Sequence, residues 1–281
     1  MRYYASVNDE PRFYVGTDVS YGRRRGLMNS GNPPGPRYRA EDFEAAHGDW
    51  AWYLQPTIMC ESKGAFTCLN TYDRAAMTFG HAQLAAHTPD DNFVAFFRDA
   101  LAQPPAASHF PDLSVVAGRI HRRAGGDVAP LESATDTTAL MAYFNATPDR
   151  VDDEEAERAA RLVHWCLSDP AMRELQVAFV VRQQRAKLAA HARKLPLHGV
   201  TDKLCIVVLD ILHQGRATYR RIREALASAD PFDALLGLGA SSYGERIATL
   251  RAGIQTLEVQ GTVGRKVYDA EARGFVVPPG T

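Results

Sequence analysis

Between Ile58 and Asn92 the chain gathers acids, amides, imidazoles and aromatic rings without a clean helical or strand period. Local rules tend to break in this way at sites of function. Two acids carry the interest. Glu61 ends an apolar stretch, DWAWYLQPTIMCES, that reads as a helix from Asp49 with Trp50, Tyr53, Ile58 and Met59 toward the core. A carboxyl group at the end of an apolar helix loses water, which disfavours its charge and predicts a raised pKa. Asp73, flanked by Tyr72 and Arg74 in a turn, is better hydrated and should stay ionised. A protonated and an ionised carboxyl are what cleavage of a glycosidic bond requires. One gives its proton to the leaving oxygen, and the other activates water, attacks, or stabilises the developing cation. Spacing alone is weak support, because acids this close together are common.

The elements that must position these groups follow from punctuation and period. Pro56 is expected to kink or restart the first helix. From Lys63 to Gly80 turn residues and β-formers predict a small hairpin lobe that returns Asp73 toward Glu61 across a cleft. HTPDD then supplies helix-start chemistry for NFVAFFRDALA, with Phe93, Phe96, Phe97 and Leu101 on one face. Beyond Pro104 the chain reads as irregular to about Ala129. Helices are expected over roughly 131–144, 152–167 and 170–194, the second opened by an acidic turn that suits the positive end of the helix dipole. Thr201-Asp202 opens KLCIVVLDILHQG, apolar nearly all round and so a buried central helix. There Asp210 and His213-Gln214 read as satisfying polar groups near the helix end, with a place facing the cleft as the alternative. Helices near 217–228 and 241–257 complete a mainly α (α+β) fold. Residues 1–46 read as an irregular N-terminal arm, 47–262 as the catalytic domain, and 263–281 as a C-terminal tail, an ordered strap or a loose end.

Composition excludes several classes. With a net charge of −1 over 281 residues, the chain has no overall field for nucleic acid. No apolar run reaches bilayer length, so membrane insertion is not expected. The N-terminus has no Sec-type apolar core, so work at a cell wall would require delivery by a secretion machine or phage lysis. Four cysteines suit free thiols, with a Cys60–Cys68 bridge as the alternative. His81 and His87 match no common ligand spacing, and neither metal nor organic cofactor is expected. The YGRRRG run in the arm reads as solvated chain, with phosphate or an acidic polymer as its alternative ligand.

The segment ES…NTYDRAAMTFGHAQLAAHTP resembles the active-site stretch of the lysozyme superfamily, above all goose-type lysozymes and related phage or bacterial lytic enzymes. Chitosanases of the same superfamily are similar less closely. The resemblance covers little beyond Ile58–Asn92. It implies a lysozyme-like helical domain with a small β-hairpin lobe, and a glycosidase acting on peptidoglycan or a related amino-sugar polymer. Glu61 would be the general acid and Asp73 would position or activate water. Tyr72, Phe79, Gly80, Gln83 and His87 would shape the sugar cleft. A toxic effector of this kind would be neutralised by an immunity protein. Goose-type enzymes often place a further acid two residues after the Gln, where this chain has Ala85, so Asp90 or Asp91 is an alternative base. Plainer readings stand beside these. Tyr72 and Phe79 fit a core as well as a sugar platform, Gly80 fits a positive-φ turn, Gln83 fits backbone pairing, and His87 fits a cap. A chitosanase-type hydrolase and a non-catalytic wall-binding or phage structural protein are the rival functions.

Overall fold

The computed structural model describes residues 1–7 and 10–278. The chain forms two compact units, one of residues 1–38 and 62–176, the other of residues 39–61 and 177–281. The elements in chain order are β1 (Arg2–Ala5), β2 (Phe13–Tyr21), β3 (Arg24–Met28), α1 (Ala40–His47), α2 (Asp49–Ser62), β4 (Leu69–Asn70), β5 (Thr78–Phe79) and β6 (Leu84–Ala85). Then come α3 (Asn92–Leu101), α4 (Ala106–His109), β7 (Leu113–Val116), β8 (Arg119–Ala124), β9 (Asp127–Pro130), α5 (Thr138–Phe144), α6 (Asp153–Ser168) and α7 (Pro170–Ala192). The chain ends with α8 (Asp202–Gln214), α9 (Tyr219–Leu226), α10 (Pro231–Leu236), α11 (Ala240–Gln260), β10 (Val267–Asp269) and β11 (Gly274–Val276). The fold is therefore mixed, mainly helical α+β. Among the described residues no helix is long and apolar enough to cross a membrane.

The first unit is built on an antiparallel meander in which β1 to β6 pair in sequence order. This corrects the irregular arm: residues 1–28 supply three of its six strands. Tyr3, Tyr4, Phe13, Tyr14, Val15, Thr17 and Val19 are the β-branched and aromatic residues that suit a pleated, half-buried surface. The Pro-Gly run that suggested an arm comes only afterwards, and α1 follows it. The expected hairpin is present as β4 and β5, with Leu69 opposite Phe79 and Asn70 opposite Thr78. The supposed irregular stretch after Pro104 contains a second, three-stranded sheet, β7-β8-β9. Its core is aromatic: Phe93, Phe97, Phe110 and Phe144 are fully buried. Their ring centroids lie 5.1 to 5.4 Å apart along the chain of contacts, mostly edge to face, as ring quadrupoles favour.

In the second unit α2 runs through Pro56 without a break, correcting the expected restart. A Cβ on Gly253 would lie 3.4 Å from Cβ of Pro56, so α11 approaches α2 closely on the proline side. The predicted central helix α8 buries Cys205, Ile206, Val207, Val208 and Ile211 and ends at Gly215 in the left-handed region, φ 64°, where glycine costs least. Tyr53 donates to Asp202 at 3.0 Å and its ring meets Phe275 edge-on at 4.9 Å. The tail is thus ordered as the β10–β11 hairpin, and residues 279–281 lie outside the described residues. Cys60 and Cys68 form no disulfide.

Candidate active site

In the second unit, Asp210, His213 and Gln214 stand at i, i+3 and i+4 on α8, which places all three on one helical face. That face meets Glu61. The Glu61 Oε1 atom accepts from Gln214 Nε2 at 2.8 Å and from Arg246 Nη2 at 2.8 Å, and lies 3.2 Å from His213 Nε2. Among the described residues no donor reaches Oε2, and that atom is not among the buried, unpartnered ones. One oxygen of the carboxyl group is locked by three donors while the other is open.

Behind Glu61 the network continues. Arg246, on α11, also binds Asp210 through Nη2 at 2.6 Å and Nε at 3.1 Å. Asp210 is fully buried and accepts from Arg216 Nη2 at 2.7 Å, while Arg216 Nη1 donates to the Leu238 carbonyl at 2.8 Å. The sequence Glu61–Arg246–Asp210–Arg216 alternates charge, which is how buried charges are tolerated. Burial pushes the Glu61 carboxyl up, but the hydrogen bond and charge of His213 and then Arg246 pull it further down, so it lies below the usual glutamate value. The raised pKa expected from an apolar helix end is therefore corrected: sequence showed the burial, but not an arginine 185 residues away. Pairing with Glu61 and Asp210 holds the Arg246 guanidinium firmly protonated against its own desolvation.

In the first unit Asp73 occupies the turn between β4 and β5. Its Oδ1 accepts the Ala75 N–H at 2.8 Å, an Asx-type turn, and its carbonyl accepts from Ala76 N at 3.1 Å and Arg24 Nη1 at 3.2 Å. Oδ2 has no partner among the described residues. Arg74 does not pair with it; its Nη2 meets His87 Nε2 at 3.3 Å. Burial, then the neighbouring Arg74 charge, lowers the His87 pKa.

The turn is held from beneath by Thr71. Its Oγ1 accepts the Leu27 N–H at 2.6 Å and donates to Glu155 Oε1 in a short contact. Glu155, on α6, is buried with Oε2 unpartnered, and desolvation pushes its pKa up to about 7. Asn145 Nδ2 ties both strands together, donating to the Thr71 carbonyl at 2.9 Å and the Arg25 carbonyl at 3.2 Å.

Of the other sugar-cleft candidates, Tyr72 alone keeps an exposed partner, its ring 6.4 Å from that of Tyr21. Phe79 is fully buried and belongs to the core. Gly80 takes φ +85°, and a Cβ there would lie 2.4 Å from Gln176 Oε1, so its glycine serves close approach. Gln83 satisfies backbone, donating to Gly80 O at 2.9 Å and Cys68 O at 3.2 Å. The alternative bases are engaged elsewhere: Asp90 pairs with Arg98 at 2.8 Å and Arg119 at 2.6 Å, and Asp91 Oδ1 accepts the Asn92 N–H at the start of α3. His81 is buried, stacked on Tyr38 with centroids 5.5 Å apart and bound to Gln176 Oε1; desolvation lowers its pKa to about 4, so it is neutral packing. Among the described residues no group of His, Cys, Asp or Glu could hold a metal ion.

Arg216 and Arg246 went unnoticed in the sequence, which offers no local sign of either. The spacing of Asp210, His213 and Gln214 on an otherwise apolar helix was the one available signal. No protein-family model matches the chain, nor does any curated protein or solved structure.

Proposed function

We propose that the chain is a lysozyme-like glycoside hydrolase that cuts the glycan strand of peptidoglycan, with Glu61 as proton donor and Asp73 as the carboxylate that activates water. The observation that carries this reading is the asymmetry of Glu61. Donors on Oε1 fix the plane of the carboxyl group and leave Oε2 to hold a proton and hand it to a leaving oxygen. The same donors stabilise the carboxylate left behind, which is the product of that transfer. A lowered resting pKa fits this scheme if the proton arrives with the substrate. Desolvation is already the largest influence on Glu61 and acts upward, and a bound sugar that expels water strengthens it. Asp73 has a free oxygen and an orientation fixed by its own turn, as a water-activating carboxylate needs. Its role comes from the motif resemblance.

Incubation with purified sacculi and with chitosan, read as new reducing ends, tests the proposal. Reducing ends from sacculi and few or none from chitosan are expected. Release from chitosan alone would move the activity to the other polymer. Binding to sacculi with no release from either would mean a wall-binding protein without turnover.

A further inference from the structure

We propose that the tip of the β2–β3 hairpin, with Tyr72, forms a binding subsite for an acidic amino-sugar polymer beside Asp73. The choice of polymer rests on the hydrolase reading above; the site itself rests on geometry within the first unit. Tyr21 and Arg24 face each other as the last pair of the hairpin, and Gly22 takes the tight turn at φ +61°. Tyr21 is 74% exposed, and its ring lies 6.4 Å from that of the half-buried Tyr72, tilted by 57°. The face of an exposed ring suits the apolar face of a pyranose.

Arginines outnumber acids around this pair, with Asp73 as the neighbouring carboxylate. Arg25 is neutralised by Asp18, with contacts of 3.2 and 3.0 Å. Arg23, Arg24 and Arg74 have no carboxylate partner among the described residues. Arg24 donates only to the carbonyl of Asp73, and Arg74 meets only a histidine nitrogen. Three arginines without a carboxylate partner among the described residues, one of them opposite Tyr21 across the hairpin, match a glycan that carries carboxylates, as peptidoglycan does on its stem peptides. They oppose a cationic one such as chitosan.

The hairpin is also anchored rather than loose. A Cβ on Gly26 would lie 2.5 Å from Thr71 Oγ1 and 2.6 Å from Tyr72 N, so only glycine lets β3 lie this close to the Asp73 turn. Arg25 N donates to the Pro148 carbonyl at 2.6 Å, and Asn145 grips Arg25 and Thr71 together. The base of the hairpin therefore keeps a fixed place beside the Asp73 turn. The YGRRRG run, read from sequence as solvated chain, becomes the rim of a site.

Co-sedimentation with purified sacculi tests this, using the full chain carrying Glu61→Gln so that the polymer persists. Adding Arg23→Glu and Arg24→Glu is expected to weaken sacculus binding about tenfold or more at low salt, with the difference shrinking as salt screens it. Binding of a neutral chitin oligosaccharide should be unaffected, and Tyr21→Ala should weaken both ligands; melting curves confirm that each variant is folded. Equal sacculus binding by the parent and the double variant overturns the subsite. So does binding of heparin as tight as that of sacculi together with no effect of Tyr21→Ala, since charge alone would then explain the affinity. If the arginine variants lose sacculus binding while the wild-type chain releases no reducing ends, the subsite stands and the hydrolase reading falls.

Discussion

Glu61→Gln is expected to lower the rate of reducing-end release from sacculi by about 10²- to 10⁴-fold, the range lost with a general acid. The substitution keeps size and keeps an acceptor for Gln214 and Arg246, but no proton can be given from an amide. Stability should change little by comparison, because Arg246 retains Asp210 as its counter-ion. The pH dependence of stability should change in a defined direction. A carboxyl group whose folded pKa is depressed contributes stability above the ordinary glutamate value, and that contribution is lost as pH falls through the depressed one. Glu61→Gln should therefore lack this part of the acid limb while showing the same cooperative unfolding. Activity within a few-fold of wild type would remove Glu61 from the chemistry.

Asp210→Ala should be the most destabilising single change in the second unit, by about 3–5 kcal/mol in denaturant unfolding. Among the described residues Asp210 is the only carboxylate that Arg216 contacts, and both side chains are wholly buried. Removing it leaves one guanidinium buried without compensation and another, Arg246, leaning on Glu61 alone. Arg216 Nε already lacks a partner, so the site has no spare acceptor to redistribute. A domain is stable by about 5–15 kcal/mol in all, so this is a large fraction. The exposed pair Arg220–Glu224 on α9 offers the contrast: Glu224→Ala should cost about 0.5 kcal/mol or less, since exposed i,i+4 pairs gain little over water. If Asp210→Ala and Glu224→Ala shift the midpoint equally, the buried network is not what orders this part of the fold.

How far the sequence revealed these features depended on how local their causes were. Helices α3, α6, α7 and α8 were readable because caps, period and terminators lie within each segment: Asp152 accepts the Glu155 N–H at 2.9 Å, as the acidic opening of α6 suggests. The β4–β5 hairpin was readable for the same reason. Strands β1 to β3 are hard to read because their tyrosines and arginines run directly into a Pro-Gly stretch. Strand pairing, not composition, decides such segments. The strands β7 to β9 hid behind RIHRR, whose charges sit on a sheet with little buried face. At the candidate site Glu61 was legible as an acid ending an apolar helix, and its burial followed. Its protonation state did not, because Arg246 and the α8 face reach it through tertiary packing. Phe79, Gly80 and Gln83 were legible as a motif, with a core ring, a positive-φ turn and a backbone-pairing amide as the plainer readings beside the sugar cleft. The neighbours in the fold decide for the plainer ones.

In the proposed reaction Glu61 takes up a proton from solvent as sugar covers it and gives that proton away from Oε2. The most direct measurement is the carboxyl carbon resonance of Glu61, followed against pH in the free chain and in the presence of a thio-linked, uncleavable amino-sugar oligomer. Titration below the usual glutamate range is expected in the free protein, with a clear upward displacement when the oligomer is bound. A resonance that titrates at the same low pH with and without bound sugar would contradict this uptake.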